Sequence, residues 1–426
     1  MKKRYFSYYA VLASLACLTG TVRGDSLNVR SIGSYQFPSI GWNIFAQGNY
    51  VYIAADSTGL RICDVSNPAV PVEVGKFRTT GLSEHVFVKD NLAYVACAYP
   101  GGLQIIDVSN PHRPSQVSLY PTSNVLLNSF VRDTLAFVAG TRGSFQIINV
   151  ADPLQPTEIG YCDLGGGSAW WCVVSGDYAY IASDSIGLRI VDISDPVYPH
   201  EVGSCSISQI YCVEICGRYI YAACGEDGLN IIDVNDASAP EIIASYATGG
   251  FAVGLKVADS IAYIGDTPGI KLIDVRVPLY PYLIGYYVDA TYQYGLDVEN
   301  GYVYAAVESP GLQVYQYYGP NGIETQLQNC SDIVYPKISL KCSPNPFLSQ
   351  MHMSFNLDKA SEVNLEAFNL TGQMIAAKNY GRMEAGRHSL PWRIAAAGNA
   401  PLPEGVYLIR LKAGNAIAVT KVIKVK

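Results

Sequence analysis

Short apolar runs, grouped in fours and divided by polar turns, fill the first three quarters of the chain. In one group they are HVFVKD (85–90), LAYVAC (92–97), LQIIDVS (103–109) and SQVSLY (115–120). Their length and their β-branched and aromatic residues predict strands, not helices. The second run is apolar at every position, as in Tyr50-Val51-Tyr52-Ile53-Ala54-Ala55. A strand of that kind is expected to be covered on both faces. The first two runs are joined by Asp90-Asn91, with Gly48-Asn49, Gly176-Asp177 and Asn300-Gly301 as counterparts, all tight-hairpin pairs.

The group recurs. GLQIIDVSNPHRP (102–114) returns as GLRICDVSNPAVP (59–71), SFQIINVADPLQP (144–156), GLRIVDISDPVYP (187–199), GLNIIDVNDASAP (228–240), GIKLIDVRVPLYP (269–281) and a truncated GLQVYQYYGP (311–320). Four strands repeating at roughly 40–45 residues predict propeller blades, here seven. The last copy ends after its third strand, at Tyr317-Tyr318. LNVRSIGSY (27–35) resembles PVEVGKF (71–77), the fourth strand of the first copy. Supplying the missing strand from the N-terminus closes the ring and removes an open edge.

Beyond this the period is lost. Residues 319–335 are polar and irregular and read as a linker. Strand-like runs at 352–357, 361–369, 387–393, 405–412 and 416–425 predict a small sandwich. The expected fold is all-β: a seven-bladed propeller over 25–318, a linker, and a sandwich over 336–426.

Composition agrees: 49% of the 426 residues are apolar and 15% charged, as in a packed β protein. A net charge of −7 without a basic stripe argues against nucleic acid as a partner. Lys2, Lys3 and Arg4, the apolar run from Ala10 to Leu18, and Val22-Arg23-Gly24 read as a signal peptide over 1–24. A lipoprotein site at Cys17 fits less well, because Ser14 replaces the expected aliphatic residue. No other stretch is long enough to span a bilayer as a helix. Arg23-Gly24-Asp25 reads as a coincidence at the cleavage site.

The cysteines lack metal-site spacing, and no cofactor motif is present. Cys212 and Cys216 would lie about 13 Å apart on one strand, beyond disulfide reach. Cys330 and Cys342 are the disulfide candidates. The five histidines, His85, His112, His200, His352 and His388, belong to no catalytic motif. Gly165-Gly166-Gly167 reads as a flexible connection.

Three recurring sets remain. The second strands carry Tyr52, Tyr94, Phe137, Tyr180, Tyr221, Tyr263 and Tyr304, expected to pack between blades. The third strands end on Asp64, Asp107, Asn149, Asp192, Asp233 and Asp274, expected to bond turn amides rather than metal. The first strands, aligned on their hairpins, give Asn43, His85, Asn128, Trp171, Cys212, Gly254 and Gly295. Two residues later they give Phe45, Phe87, Phe130, Val173, Glu214, Lys256 and Asp297. Alternation puts both sets on one face, which approaches the central channel if this strand is innermost. Asn43, His85, Asn128, Trp171, Glu214, Lys256 and Asp297 are therefore the candidate ligand-binding residues. Glu214, Lys256 and Asp297 form either an ion triad that fixes blade order or a site for a small polar ligand such as a sugar.

The motif G-L-x-I-x-D-V-S-N-P-x-x-P resembles the LVIVD repeat, a family of exported bacterial and archaeal propellers, over about residues 26–318. Ser144, Ala237 and Val277 depart from it. The tail resembles the C-terminal sorting domain of the type IX secretion pathway and its immunoglobulin-like relatives. The matching residues are Pro344-Asn345-Pro346-Phe347, Asn369-Leu370-Thr371-Gly372, Gly386-Arg387-His388, Gly405-Val406-Tyr407 and the basic end. That resemblance implies export across an outer membrane, with the secretion machinery as a partner and the body left on the cell surface or released. The expected function is a non-enzymatic scaffold binding protein or glycan. The alternatives are a polysaccharide hydrolase or lyase and a structural component of a surface layer.

Overall fold

The computed structural model describes residues 26–289, 291–309, 311–318, 340–348, 350–368, 374–393, 402–413 and 416–425. The signal segment, the linker, Cys330 and Asn369-Leu370-Thr371-Gly372 lie outside the described residues. Among the described residues all regular structure is strand.

In the first unit each repeat forms an antiparallel sheet. Blade 1 runs Asn43–Gln47, Tyr50–Ala54, Leu60–Asp64 and Val72–Phe77, in that order. The next blades begin at Ser83–Lys89, Leu126–Arg132, Ala169–Ser175, Cys212–Cys216 and Gly254–Ala258, and blade 7 at Gln293–Glu299. Each first strand touches that of the next blade, and the one in blade 7 touches Asn43–Gln47. The seven first strands thus line a closed ring. The second strands are sealed between neighbours: Tyr52, Tyr94, Phe137, Tyr180, Tyr221, Tyr263 and Tyr304 are all buried. Tyr52 packs with Val86 and Val95 of the following blade, so these aromatics fill the space between sheets.

The ring is closed by the N-terminal segment. Val29–Gln36 pairs antiparallel with Gly311–Tyr317, Val29 opposite Tyr317 and Gln36 opposite Gly311. Ser26–Leu27 does something the sequence did not announce: it pairs with Tyr287 and Tyr286, adding a fifth strand to blade 6. Between the two pieces Asn28 sits at φ 57°, a left-handed conformation that asparagine tolerates. Its Nδ2 donates to the Ile284 carbonyl at 2.7 Å, and its own carbonyl accepts the Tyr318 N–H at 3.1 Å. One short segment therefore ties the last two blades together.

The glycine run lies in a hydrogen-bonded turn between blades 3 and 4. Gly165, Gly166 and Gly167 have φ of 83°, 111° and 77°. Gly143 N–H donates to the Gly167 carbonyl at 2.8 Å, and Leu164 N–H to the Gly143 carbonyl at 2.9 Å. The run is a turn whose left-handed residues suit glycine.

The second unit, taken by itself, is a sandwich. One sheet holds Leu340–Ser343, Met351–Leu357 and Gly386–Trp392; the other has the order Met374–Met383, Ser361–Phe368, Gly405–Ala413, Ala416–Lys424. Met351–Leu357 alternates strictly between buried and exposed, so Met351, Met353, Phe355 and Leu357 meet Val363, Leu365, Ile409 and Leu411 in the core. Phe347, 1% exposed, bonds to strand Ala416–Lys424 through its N–H to the Ile423 carbonyl at 2.8 Å. Two strands here were not foreseen. Leu340–Ser343 spans only four residues, and Met374–Met383 is an edge strand without apolar alternation.

Candidate functional site: the inner ring and its collar

The pairing registers align the first strands. Phe45, Phe87, Phe130, Val173, Glu214, Lys256 and Asp297 each stand opposite the recurring aromatic of their own blade. Asn43, His85, Asn128, Trp171, Cys212, Gly254 and Gly295 precede them by two residues, on the same face. The ring is two-sided. Phe45 and Phe87, and Phe87 and Phe130, lie with ring centroids 5.1 Å apart, so blades 1 to 4 present an apolar arc and blades 5 to 7 a charged one.

In the charged arc Lys256 Nζ lies 3.2 Å from Asp297 Oδ1 and 3.8 Å from Glu214 Oε1. Asp297 Oδ2 also accepts the Ala46 N–H of blade 1 at 2.8 Å, and Oδ1 that of Val298 at 2.9 Å. Burial alone would lower the Lys256 pKa, but Asp297 and Glu214 outweigh it and hold the ammonium well above the ordinary lysine value. The three side chains span three blades, and Asp297 carries the link into a fourth.

Other candidate residues make similar links. Val86 N–H donates to Asn43 Oδ1 at 3.0 Å, and Cys172 N–H to Asn128 Oδ1 at 3.2 Å, each bond crossing to the next blade. His85 rests edge-on to Trp171, centroids 4.8 Å apart, and its Nδ1 accepts the Ser129 N–H at 3.4 Å. Burial, then the charge of Lys256, lowers the His85 pKa to about 3, so the ring is neutral at physiological pH. At Gly254 and Gly295 the next blade's backbone lies close: a Cβ would meet the Tyr294 carbonyl oxygen at 2.8 Å and the Asn43 Cα at 2.7 Å.

The residues that end the third strands lie elsewhere, in outer turns. Asp64, Asp107, Asn149, Asp192, Asp233 and Asp274 accept the N–H two residues on, at 2.8 to 3.1 Å. Hydrogen bonds from the hydroxyls of Ser66, Ser109 and Ser194, and then from their backbone amides, hold Asp64, Asp107 and Asp192 below the usual carboxylate range. His112 and His200 are exposed. Burial pushes the thiols of Cys63, Cys97 and Cys342 up to about 12, which disfavours their thiolate forms.

A further ring was missed by sequence reasoning. In blades 2, 3, 4 and 7 the first strand carries a β-bulge, between Ser83 and His85, Leu126 and Asn128, Ala169 and Trp171, and Gln293 and Gly295. The extra residues are Glu84, Leu127, Trp170 and Tyr294. Bulges re-aim a side chain, and Trp42 and Tyr211 occupy the same place just before their strands. At this end of the ring the result is a collar. Trp42 and Tyr294 have centroids 4.7 Å apart, and Tyr292 stacks on Tyr294 at 6.1 Å. From blade 4 to blade 6, Trp170, Tyr211 and Phe251 form a second ladder at 6.3 and 5.5 Å. The Trp170 Nε1 is buried and donates to no acceptor among the described residues. All these rings are half-buried.

Glu84 lies in the collar beside Asp56. Asp56 is fixed by two backbone bonds with Ser83, at 3.2 and 3.0 Å, and its Oδ1 accepts the Trp42 Nε1–H at 3.3 Å. Burial, then the Asp56 charge, pushes the Glu84 carboxyl up to about 8. The sequence signal was faint: the residue before each candidate is Trp42, Glu84, Leu127, Trp170, Tyr211, Val253 or Tyr294, but strict alternation would point it away from the channel.

The LVIVD repeat family matches residues 40–79, 80–122, 166–207 and 212–248, which are blades 1, 2, 4 and 5. A secretion system C-terminal sorting domain matches residues 341–426. The WD40 beta propeller domain of Doa1 is similar at 8% identity and TM-score 0.56, covering 70% of this chain and 99% of that one. The computationally designed Ika8 protein is similar at 10% identity and TM-score 0.51, covering 67% and 99%. BamB from Moraxella catarrhalis aligns at 15% identity and TM-score 0.46, over 65% and 81%. At these identities the likeness to Doa1 and Ika8 concerns the fold alone. No curated protein matches the chain.

Proposed function

For a chain that carries LVIVD repeats and a C-terminal sorting domain, we propose the role of an exported recognition scaffold that binds a protein or glycan at the collar of its propeller. The sorting domain indicates export to the cell surface or extracellular space. The observation that carries the binding reading is the contrast between the two rings. The oxygens of Asn43, Asn128 and Asp297 are engaged in blade-to-blade bonds, whereas the collar offers half-buried aromatic faces at one end of the channel. Aromatic faces around a concave mouth suit recognition. The test is a screen of the full-length protein against glycans and surface proteins, repeated with Tyr294→Ala and Trp170→Ala combined. A true ligand loses about tenfold or more in affinity; a ligand indifferent to both changes sinks the collar as its site.

One observation favours a second reading, hydrolysis of polysaccharide. A carboxyl held protonated beside a second carboxylate, as Glu84 is beside Asp56, is the pairing that acid–base chemistry on glycosides requires. Release of reducing ends from polysaccharides, abolished by Glu84→Gln, would establish it. No turnover on a broad panel would leave recognition alone.

A further inference from the structure

We propose that the blade 7 to blade 2 side of the collar accepts an organic ammonium group, the end of a partner protein's lysine side chain, between the rings of Trp42 and Tyr294 and the carboxyls of Asp56 and Glu84. The inference rests on the collar being the recognition site. Trp42 and Tyr294 meet at 60° with centroids 4.7 Å apart, and Tyr292 extends the aromatic surface. Ring faces attract cations, and the same faces accept the apolar stem of a lysine.

Charge complementarity selects the ligand. Asp56 and Glu84 lie on this side, and Glu308 acts on Tyr294. Among the described residues none of the ion pairs involves Asp56, Glu84 or Glu308. An acidic, half-buried aromatic site with no cation paired to it among the described residues repels anions and favours a monocation. The second ladder, Trp170, Tyr211 and Phe251, gives apolar area to the residues around the lysine. A small free amine would leave it unused.

The groups acting on Glu84 define a signature. Asp56 reaches it from blade 1, and Cys97, on its own blade, is neutral with its thiol at about 12. Unliganded, Glu84 keeps its proton because burial, and then the neighbouring charge of Asp56, disfavours its anion. An ammonium ion between them reverses this, so Glu84 ionises as the ligand binds. Protonated Glu84 plus R–NH3+ then gives the complex plus one proton released to solvent.

Isothermal titration calorimetry of the full-length protein at pH 6.5, in two buffers of different ionisation enthalpy, tests this directly. The probe is a pentapeptide with one central lysine, set against the norleucine peptide and n-butylammonium. The expected result is saturable binding of the lysine peptide with nearly one proton released. The norleucine peptide and n-butylammonium should each bind at least tenfold more weakly. Glu84→Gln, which copies the shape of the protonated acid, should abolish the release and weaken binding about tenfold while leaving the fold intact. Equal binding of the norleucine peptide, binding without proton release, or no binding by a folded protein overturns the ammonium site. Equal affinity for n-butylammonium overturns the partner lysine in favour of a small amine. A collar-dependent neutral glycan would leave the recognition reading standing while this inference fails; ligands that ignore the collar remove both.

Discussion

The inner ring and the collar are built from the same seven strands, a residue or two apart, and they use polar and aromatic chemistry in opposite ways. In the ring, Asn43, Asn128 and Asp297 each spend a side-chain oxygen on a backbone amide of the next blade, and Lys256 bridges two acids. In the collar, a bulge lifts Glu84, Trp170 and Tyr294 out of the strand alternation and leaves them half-buried. A polar residue beside a channel therefore says little about binding until its partners are known. A residue turned out of the ladder says more.

The comparison can be broken at several points. The largest effect is expected from deleting residues 26–36, which removes the closing strand and its extension onto blade 6. All seven blades should melt together, lower by on the order of 10 °C or more, as read by circular dichroism; an unchanged melting curve would show that closure does not support the ring. Next comes Lys256→Met. It leaves Asp297 and Glu214 facing each other without their cation and should cost about 3–5 kcal/mol in denaturant unfolding. Adding Glu214→Gln should restore part of the loss.

The pH dependence of Glu84 sharpens the contrast. Its carboxyl titrates near 8 in the fold against 4.5 for an ordinary glutamate. A raised folded pKa means stability that is complete below the lower value and lost as pH rises through the upper one. Glu84→Gln should therefore gain on the native protein by about 1–3 kcal/mol between pH 5 and 9, allowing for partial solvent screening. A flat difference across that range would place Glu84 in water. Asn128→Ala, which strands the buried Cys172 N–H, should cost about 1–3 kcal/mol at any pH. The smallest effect belongs to the outer turns. Asp107→Ala frees one exposed amide and should cost no more than about 1 kcal/mol.

Much of this fold was legible because a repeat near 42 residues is a strong signal, and a strand missing at one end matched a spare one at the other. The pairing of Ser26–Leu27 was not legible, since two residues carry no period. The alignment of Glu214, Lys256 and Asp297 could be read because those stretches obey strict alternation and share a register against Tyr221, Tyr263 and Tyr304. Glu84 and Trp170 could not, because a bulge breaks the two-residue period where they stand. Blade 3 has Ser144 in place of the leading glycine and blade 6 has Val277 in its turn; neither lies in a stretch matched by the repeat family. Both nevertheless form four antiparallel strands in the ring, since core burial outweighs turn chemistry.

The central claim, that the inner ring contributes more to the propeller's stability than the collar does, is tested most directly by urea unfolding of Lys256→Met beside Tyr294→Ala. Tyr294 is the bulkier truncation, and its ring packs on Trp42 and Tyr292. Even so, the account predicts a cost of about 1–2 kcal/mol for it, from half-buried apolar area, against about 3–5 kcal/mol for Lys256→Met. If Tyr294→Ala proves the more damaging of the two, the collar is part of the structural ring and the distinction drawn between them is wrong.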